Sequence, residues 1–268
     1  MKVNVLDKTG KVSGEVELPP QFNESIRPDL IERAVIAIQS HKRQREGAYD
    51  EAGKRPSATV SKRRHNYRGC YGIGISRVPR KIMSRRGTRM NWQGALAPGT
   101  VGGRRSHPLK ADKQHWQELN KKERKKALRS AIAASLDKEL AASRGHKVPE
   151  QFPFIIEKST EKLAKTKDVV EMLTKLGFEN ELHRSKQKNV RAGKGKGRTR
   201  KYNKKKGVLL VVGNDTKLVK ASKNIPGADI CRVNELNAEL LAPGGVPGRV
   251  TLYTEDAISA LKKDELFM

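Results

Sequence analysis

The chain lacks the residue patterns that build metal sites, disulfide frameworks and membrane spans. It has two cysteines in 268 residues, Cys70 and Cys231, and neither has a second Cys or a His at ligand spacing. This spacing argues against a zinc site and against a disulfide framework. The six histidines show no H-x-x-x-H spacing either. We therefore expect no metal and no cofactor. A run of about 18 apolar residues is also missing, so no membrane span is expected.

Carboxylates are missing from two long segments. Residues 52–111 contain no Asp or Glu but fifteen Lys and Arg, nine Gly and four Pro, and residues 184–206 contain twelve Lys and Arg without one acid. The first segment has too few branched aliphatic side chains to offset the entropy lost on ordering. We expect it to be disordered alone and to become ordered on a polyanion.

The formal net charge of +28 indicates an anionic partner. Nucleic acid fits better than a membrane, because no amphipathic helix carries a bulky aromatic face. Regulators that bind DNA read a groove with a rigid helix or ribbon and rarely need so long an arm, so DNA is not expected. A compact folded RNA accommodates an arm that folds on binding. The N-terminal residues are typical of a strand and not of a signal peptide, which predicts a cytoplasmic protein.

The rest of the chain alternates apolar strands with helices. The pattern predicts an α/β fold of three layers, α/β/α, with a mostly parallel sheet of about four strands and a long extended internal loop. The predicted helices include 28–46, 120–145 with Asn120 as its cap, 235–241 with Asn234 as its cap, and 255–262 with Thr254 as its cap. Residues 1–47 and 112–268 are predicted to form one discontinuous globular domain with a basic loop at 184–207, and residues 48–111 form the extended basic loop.

Glycine-rich stretches raise the alternative of a nucleotide-binding protein or a nucleic-acid enzyme built on the sheet. Gly72-Ile73-Gly74 has no third glycine and no helix behind it, and residues 193–199 lack the order of a phosphate-binding loop. No nucleophile elbow or zincin helix occurs, so we expect no catalytic residue and no enzyme. Turnover or saturable nucleotide binding by the domain without residues 52–111 would favour this alternative.

Aromatic residues lie among the cations, three in the first basic segment and one, Tyr202, in the second. This favours RNA binding over a disordered solubilising tail. Base stacking on an aromatic ring contributes about 1 to 3 kcal/mol per base, and Arg binds phosphate in a bidentate manner. The candidate RNA-binding residues of the first segment are Lys54, Arg55, Lys62, Arg63, Arg64, Tyr67, Arg68, Tyr71, Arg77, Arg80, Lys81, Trp92, Arg104, Arg105 and His107. Those of the second segment are Lys194, Lys196, Arg198, Arg200, Lys201, Tyr202 and Lys204.

Several motifs occur in an order that is specific to one family. They are Ile26-Arg27-Pro28-Asp29, Ser76-Arg77-Val78-Pro79-Arg80, Arg105-Ser106-His107-Pro108, Leu119-Asn120-Lys121-Lys122-Glu123-Arg124, Arg129-Ser130-Ala131-Ile132-Ala133-Ala134, Ala192-Gly193-Lys194-Gly195, and Leu241-Ala242-Pro243-Gly244-Gly245-Val246-Pro247-Gly248-Arg249. Over nearly its whole length, the chain resembles the archaeal branch of the L-four family of large-subunit ribosomal proteins.

This resemblance implies a structural constituent of the large ribosomal subunit that binds 23S-type ribosomal RNA and supports subunit assembly. It further implies that the long loop reaches the peptide exit tunnel near its constriction, beside neighbouring ribosomal proteins and the nascent peptide. Carried onto this sequence, the tunnel-lining residues are Ser84, Arg85, Arg86, Gly87, Thr88, Arg89, Met90 and Asn91.

Overall fold

The computed structural model describes residues 1–214 and 216–268, which form two compact units. The larger unit comprises Met1–Lys42 and Trp116–Met268, and the smaller unit is Arg43–His115. The helices are α1 (Pro28–His41), α2 (Lys121–Ala134), α3 (Lys138–Ser143), α4 (Thr166–Lys175), α5 (Glu179–Lys186), α6 (Lys217–Ser222), α7 (Ala238–Leu241) and α8 (Glu255–Lys263). The strands are β1 (Lys2–Leu6), β2 (Val12–Glu17), β3 (Arg80–Arg86), β4 (Arg89–Gly94), β5 (Ile155–Ile156), β6 (Lys188–Val190), β7 (Tyr202–Lys204), β8 (Leu209–Val212), β9 (Asp229–Arg232) and β10 (Thr251–Tyr253).

The larger unit has two three-stranded sheets and one hairpin. One sheet has the order β2-β1-β5, with β1 antiparallel to β2 and parallel to β5, and the other has the parallel order β10-β8-β9. A single parallel bridge joins Ile156 to Thr254. The mixed α/β class is confirmed, and no sheet among the described residues closes into a barrel. The strands thus lie in two three-stranded sheets, whereas the sequence predicted one sheet of about four strands. The pair β1 and β2 belongs to the first of these sheets.

Strand β8 shows how the core is organised. Its four residues are all apolar and buried, and their side chains alternate between two clusters. Leu209 and Val211 pack with side chains of α1, α2 and α8, whereas Leu210 and Val212 pack with side chains of α4 and α6. An uninterrupted apolar run is typical of a parallel strand that is covered on both faces.

The predicted helix 120–145 is wrong, because two helices occupy this range. Helix α2 ends at Ala134, and the Ser135 hydroxyl donates to the carbonyl of Ile132 at 2.7 Å. The Asp137 carboxylate then accepts from the N–H groups of Glu139 and Leu140 and caps α3. Ser and Asp side chains compete for backbone groups, which ends one helix and begins the next.

Other helix boundaries also differ from the prediction. Helix α1 begins at Pro28 as expected but ends at His41 and not near residue 46. Helix α7 is capped by Asn237, whose side chain accepts from Leu240, so the predicted cap at Asn234 is wrong. The Thr254 cap of α8 is confirmed. Asn120 precedes α2 but makes no capping bond through its side chain.

None of the helices in the two described stretches is both long enough and apolar enough to cross a lipid bilayer.

Candidate nucleic-acid interface

The smaller unit contains the whole of the predicted basic loop, residues 48–111, which we call the extension. Its two ends meet, because the Ala48 N–H donates to the carbonyl of Leu109 at 3.0 Å. Further along, Gly53 has a φ of 77° and lies against Arg104, where an added Cβ would sit 2.5 Å from the Arg104 Cα. Only glycine fits there, so it lets the outgoing and returning chains approach each other.

Strands β3 and β4 form a hairpin, which we call the tip hairpin (Arg80–Gly94). The strands pair antiparallel as far as Arg86 opposite Arg89, and the chain turns at Gly87, whose φ is 57°. The residues predicted for the tunnel, 84–91, therefore form the closed end of this hairpin. Alternation along β4 leaves Arg89, Asn91 and Gln93 exposed and the residues between them partly buried.

Guanidinium groups lie over aromatic rings throughout the extension. Such cation–π contacts form where a cation lies within about 6 Å of a ring centroid. They hold the predicted stacking residues beside the predicted phosphate-binding residues. Three of the pairs are Arg68 with Tyr67 at 5.4 Å, Arg77 with Tyr71 at 4.6 Å, and Arg80 with Trp92 at 5.6 Å.

The predicted RNA-binding side chains of the extension all remain accessible to solvent. The exposed ones are Lys54, Arg55, Lys62, Arg63, Arg64, Tyr67, Arg68, Arg77, Arg105 and His107, and the half-buried ones are Tyr71, Arg80, Lys81, Trp92 and Arg104. A buried cation would need a carboxylate partner, whereas these cations lie where an external phosphate can reach them. Arg80 is also held from within, because its guanidinium donates to the carbonyl of Val78 at 3.3 Å.

The second basic segment is an antiparallel hairpin of β6 and β7, residues 188–204, which we call the basic hairpin. Lys188 lies opposite Lys204, and its ammonium is 4.6 Å from the ring centroid of Tyr202. A single 3-10 turn, Lys194–Gly197, lies at its far end. Every predicted residue in this hairpin is exposed, so both basic segments present cations and an aromatic ring on their surfaces.

A buried arginine holds the base of the basic hairpin. The Arg249 guanidinium is 1% exposed and donates to the carbonyls of Gly207 at 2.8 Å and Leu240 at 2.9 Å, and to Asp229 at 2.6 Å. Lys206 pairs with the same carboxylate at 2.8 Å. Burial raises the pKa of Asp229, but the Lys206 and Arg249 cations outweigh it and hold that pKa below its usual value.

A buried carboxylate holds the other side of this base. Glu181 is 1% exposed and accepts from both Arg184 Nε at 2.8 Å and the Lys147 N–H at 2.9 Å, and it contacts His146 Nδ1 at 2.7 Å. Arg184 also donates to the carbonyl of Lys206 at 2.7 Å. Burial raises the pKa of Glu181, but these donors prevail and lower it from 4.5 to about 2.

Within the described residues, no group of three or more His, Cys, Asp or Glu side chains could hold a metal ion. Both cysteines are buried, and burial raises the pKa of the Cys231 thiol to about 12. A thiol with such a pKa is protonated at neutral pH and is a poor nucleophile.

The chain is similar to known proteins over nearly its whole length. A model of the ribosomal protein L4/L1 family matches residues 16–264. A large ribosomal subunit protein uL4 of Nanoarchaeum equitans is 47% identical over 268 residues and covers 100% of both chains. The proteins of the same name from Archaeoglobus fulgidus and Methanocaldococcus jannaschii are 44% and 42% identical, and the matches cover 97% and 98% of this chain and 98% and 99% of theirs.

The chain belongs to the ribosomal protein L4/L1 family. This confirms the resemblance to the archaeal branch, because the matched proteins quoted above come from archaea. Proteins of this family are structural components of the translation machinery, so the chain is not an enzyme, as the sequence predicted.

The residues that hold the basic hairpin of this L4/L1 family member were not among the sequence candidates. Arg249 stands beside an apolar strand, and a lone cation there is the signal that could have identified it. Glu181 comes shortly before the acid-free segment 184–206, and Asp229 follows that segment at the start of β9. Their role needs the long-range packing that brings positions 146, 181, 229 and 249 together.

The substitution Arg249→Met should destabilise the larger unit by about 3 kcal/mol, because it leaves Asp229 and two carbonyls without their buried donor. Urea unfolding of the full chain measures this change, and hydrogen exchange of the Gly207 amide, which donates to Gly227 at 2.7 Å, should accelerate. The control Arg198→Met removes an exposed arginine of the basic hairpin and should leave both readings unchanged. Equal effects of the two variants would contradict the anchoring role of Arg249.

Glu181 should make stability depend on acid pH. Because its pKa is lowered from 4.5 to about 2 in the folded chain, its contribution is fully present above pH 4.5 and is lost as the pH falls toward 2. Glu181→Gln should therefore reduce the free energy of unfolding by about 3 kcal/mol at neutral pH, and the difference should shrink below pH 4.5.

Urea unfolding at neutral pH and near pH 3 tests this dependence. The matched control is Glu171→Gln, since Glu171 is 55% exposed and lies 4.0 Å from Lys167. Exposed pairs of this kind contribute little, so the control should follow the parent chain at both pH values. A constant difference between the Glu181 variant and the parent chain across this pH range would refute the assignment.

Proposed function

We propose that the protein is a structural constituent of the large ribosomal subunit and binds its 23S-type RNA through both basic segments. The observation that carries this proposal is the acid-free segment 52–111 of the extension, in which every candidate cation and ring is accessible. Its relatives are named large ribosomal subunit proteins. The protein would act in the cytoplasmic ribosome, with ribosomal RNA and neighbouring large-subunit proteins as partners.

The globular part, residues 1–47 and 112–268, would hold the two RNA-binding segments in place. We propose that its two sheets act as one, in the order β2-β1-β5-β10-β8-β9, between two layers of helices. The parallel bridge between Ile156 and Thr254 supports this order, and the two apolar clusters support a core on each face. Such a rigid base would present the two basic segments to the RNA and support subunit assembly.

The extension would bind RNA by charge neutralisation and stacking. Its eleven arginines and four lysines release counterions from the phosphates they neutralise, which favours association. The rings of Tyr67, Tyr71 and Trp92 would stack on unpaired bases. The basic loop at 184–207, which contains the basic hairpin, would make a second contact of the same kind through Tyr202.

The closed end of the tip hairpin would line the peptide exit tunnel. Residues 84–91 are proposed for this role because the resemblance carries the tunnel position onto them and they form the end of the smaller unit's hairpin. Their cations are Arg85, Arg86 and Arg89, and no carboxylate lies among them. Such a surface can contact both the RNA of the tunnel wall and the nascent peptide.

Binding of large-subunit RNA should weaken steeply with salt. The affinity of the full chain should fall by at least about a thousandfold between 50 and 200 mM salt if six or more phosphates are contacted. A variant in which two glycines replace residues 49–108 should stay folded, because Ala48 and Leu109 already meet, and its salt dependence should be shallower. Filter binding and urea unfolding measure these effects. Salt-insensitive binding by the full chain, or none, would overturn the proposal.

A photo-crosslinking side chain placed at Arg89 should react with a stalled nascent peptide in ribosomes that carry the variant protein. The same group at Val12, an exposed residue of β2, should not react. Gel analysis of the labelled peptide after irradiation distinguishes the two positions. Equal labelling from both positions, or none from Arg89 in ribosomes shown to contain the variant, would contradict the tunnel position of the tip hairpin.

A further inference from the structure

A cleft of 690 Å³ lies inside the smaller unit, between residues 63–73 and one face of the tip hairpin. Three rings, those of Tyr67, Tyr71 and Trp92, contribute to its lining together with Met90, and no carboxylate does. The volume is within the range of about 300 to 1,000 Å³ that is typical of sites for small ligands.

The lining of the cleft combines flat apolar surface with positive charge. Arg63, Arg64 and Arg68 line the cleft. The Arg68 guanidinium lies 5.4 Å from the centroid of the Tyr67 ring, and that of Arg64 lies 5.9 Å from the centroid of the Tyr71 ring. At its edge, Tyr67 is 51% exposed and Ile73 is 56% exposed. These two side chains and the half-buried Met90 and Trp92 line one opening, so the apolar surface is grouped there and not scattered.

We propose that this cleft binds a single unpaired base of the ribosomal RNA, with the phosphates on either side held by the arginines at its edge. This inference rests on the proposed RNA-binding function and adds a defined site to it. A surface made of the three rings and Met90 suits a flat apolar group. The lining arginines have no carboxylate beside them in the cleft, so they attract an anion. An RNA nucleotide carries both. A base in a duplex is stacked on both sides, so only an unpaired base can enter.

The two faces of the tip hairpin would then have different roles. Thr88, Met90 and Trp92 are alternate residues of the turn and β4, and all three line the cleft. Arg89 and Asn91 lie between them, are exposed and do not line the cleft. The RNA base would therefore occupy one face, and the other face would remain for the tunnel.

The test uses the full chain with Trp116→Phe, so that Trp92 is the one remaining tryptophan of the two in the sequence. An oligouridylate of eight nucleotides should quench the Trp92 emission as a base stacks on the ring. An abasic oligomer of equal length, which has the same phosphates, should bind without quenching, and a duplex of equal length should behave likewise.

Two matched variants separate stacking from charge. In the chain with both tryptophans, Met90→Ala and Trp92→Leu should each raise the Kd for the oligouridylate by about tenfold and leave the Kd for the abasic oligomer unchanged. The control Met83→Ala alters a methionine of the same hairpin that is 64% exposed and lies outside the cleft, and it should change neither Kd. Fluorescence anisotropy of labelled oligomers gives both constants.

The outcomes distinguish failure of the cleft from failure of the proposed function. If the chain binds ribosomal RNA with a steep salt dependence but Trp92 emission does not respond to the oligouridylate, the cleft proposal is wrong and the function stands. If Met90→Ala and Trp92→Leu weakened binding of the base-containing and the abasic oligomer equally, the cleft proposal would also be overturned. The cleft would then act through charge alone. A chain that binds no ribosomal RNA overturns both.

Discussion

The separation of opposite charges along the chain is the constraint on which the other features depend. Inside residues 52–111 no carboxylate is available, so the arginines cannot form internal ion pairs. Several of them lie over aromatic rings, as Arg77 does over Tyr71. A cation–π contact satisfies the ring but leaves the N–H groups of the guanidinium free to donate. The extension thus keeps its hydrogen-bonding capacity for an external anion, and this capacity is what RNA binding requires.

The carboxylates that the basic segments lack are concentrated where the segments meet the folded unit. Asp229 pairs with Arg249 and Lys206, and Glu181 pairs with Arg184, all at the base of the basic hairpin. A buried pair is costly to break, because the partner left behind would be an uncompensated charge. Acids placed at the base therefore fix the direction in which the hairpin leaves the domain. Acids placed along the hairpin would instead neutralise the surface that we propose binds RNA.

Local sequence pattern was enough to predict the Thr254 cap and the continuous apolar strand β8. It could not predict the pairing between distant segments. Thr254 was identified as a cap from its own neighbourhood, whereas Asp137 divided a helix that the apolar period alone would have continued. The candidate RNA-binding residues could be chosen because charge and aromatic content are local properties. Arg249 and Glu181 could not, since their importance comes from partners tens of residues away, such as Gly207 for Arg249 and His146 for Glu181.

Strand alternation explains how so short a hairpin would serve the two surfaces proposed for it. Successive side chains of a strand point to opposite faces, so each role needs only every second residue. On β4 the larger and less polar residues, Met90 and Trp92, share the face toward the cleft, and the polar residues Arg89, Asn91 and Gln93 share the other. A shift of one residue in the pairing of β3 with β4 would exchange the two faces. The turn at Gly87 prevents that shift, because its positive φ favours glycine at this one position.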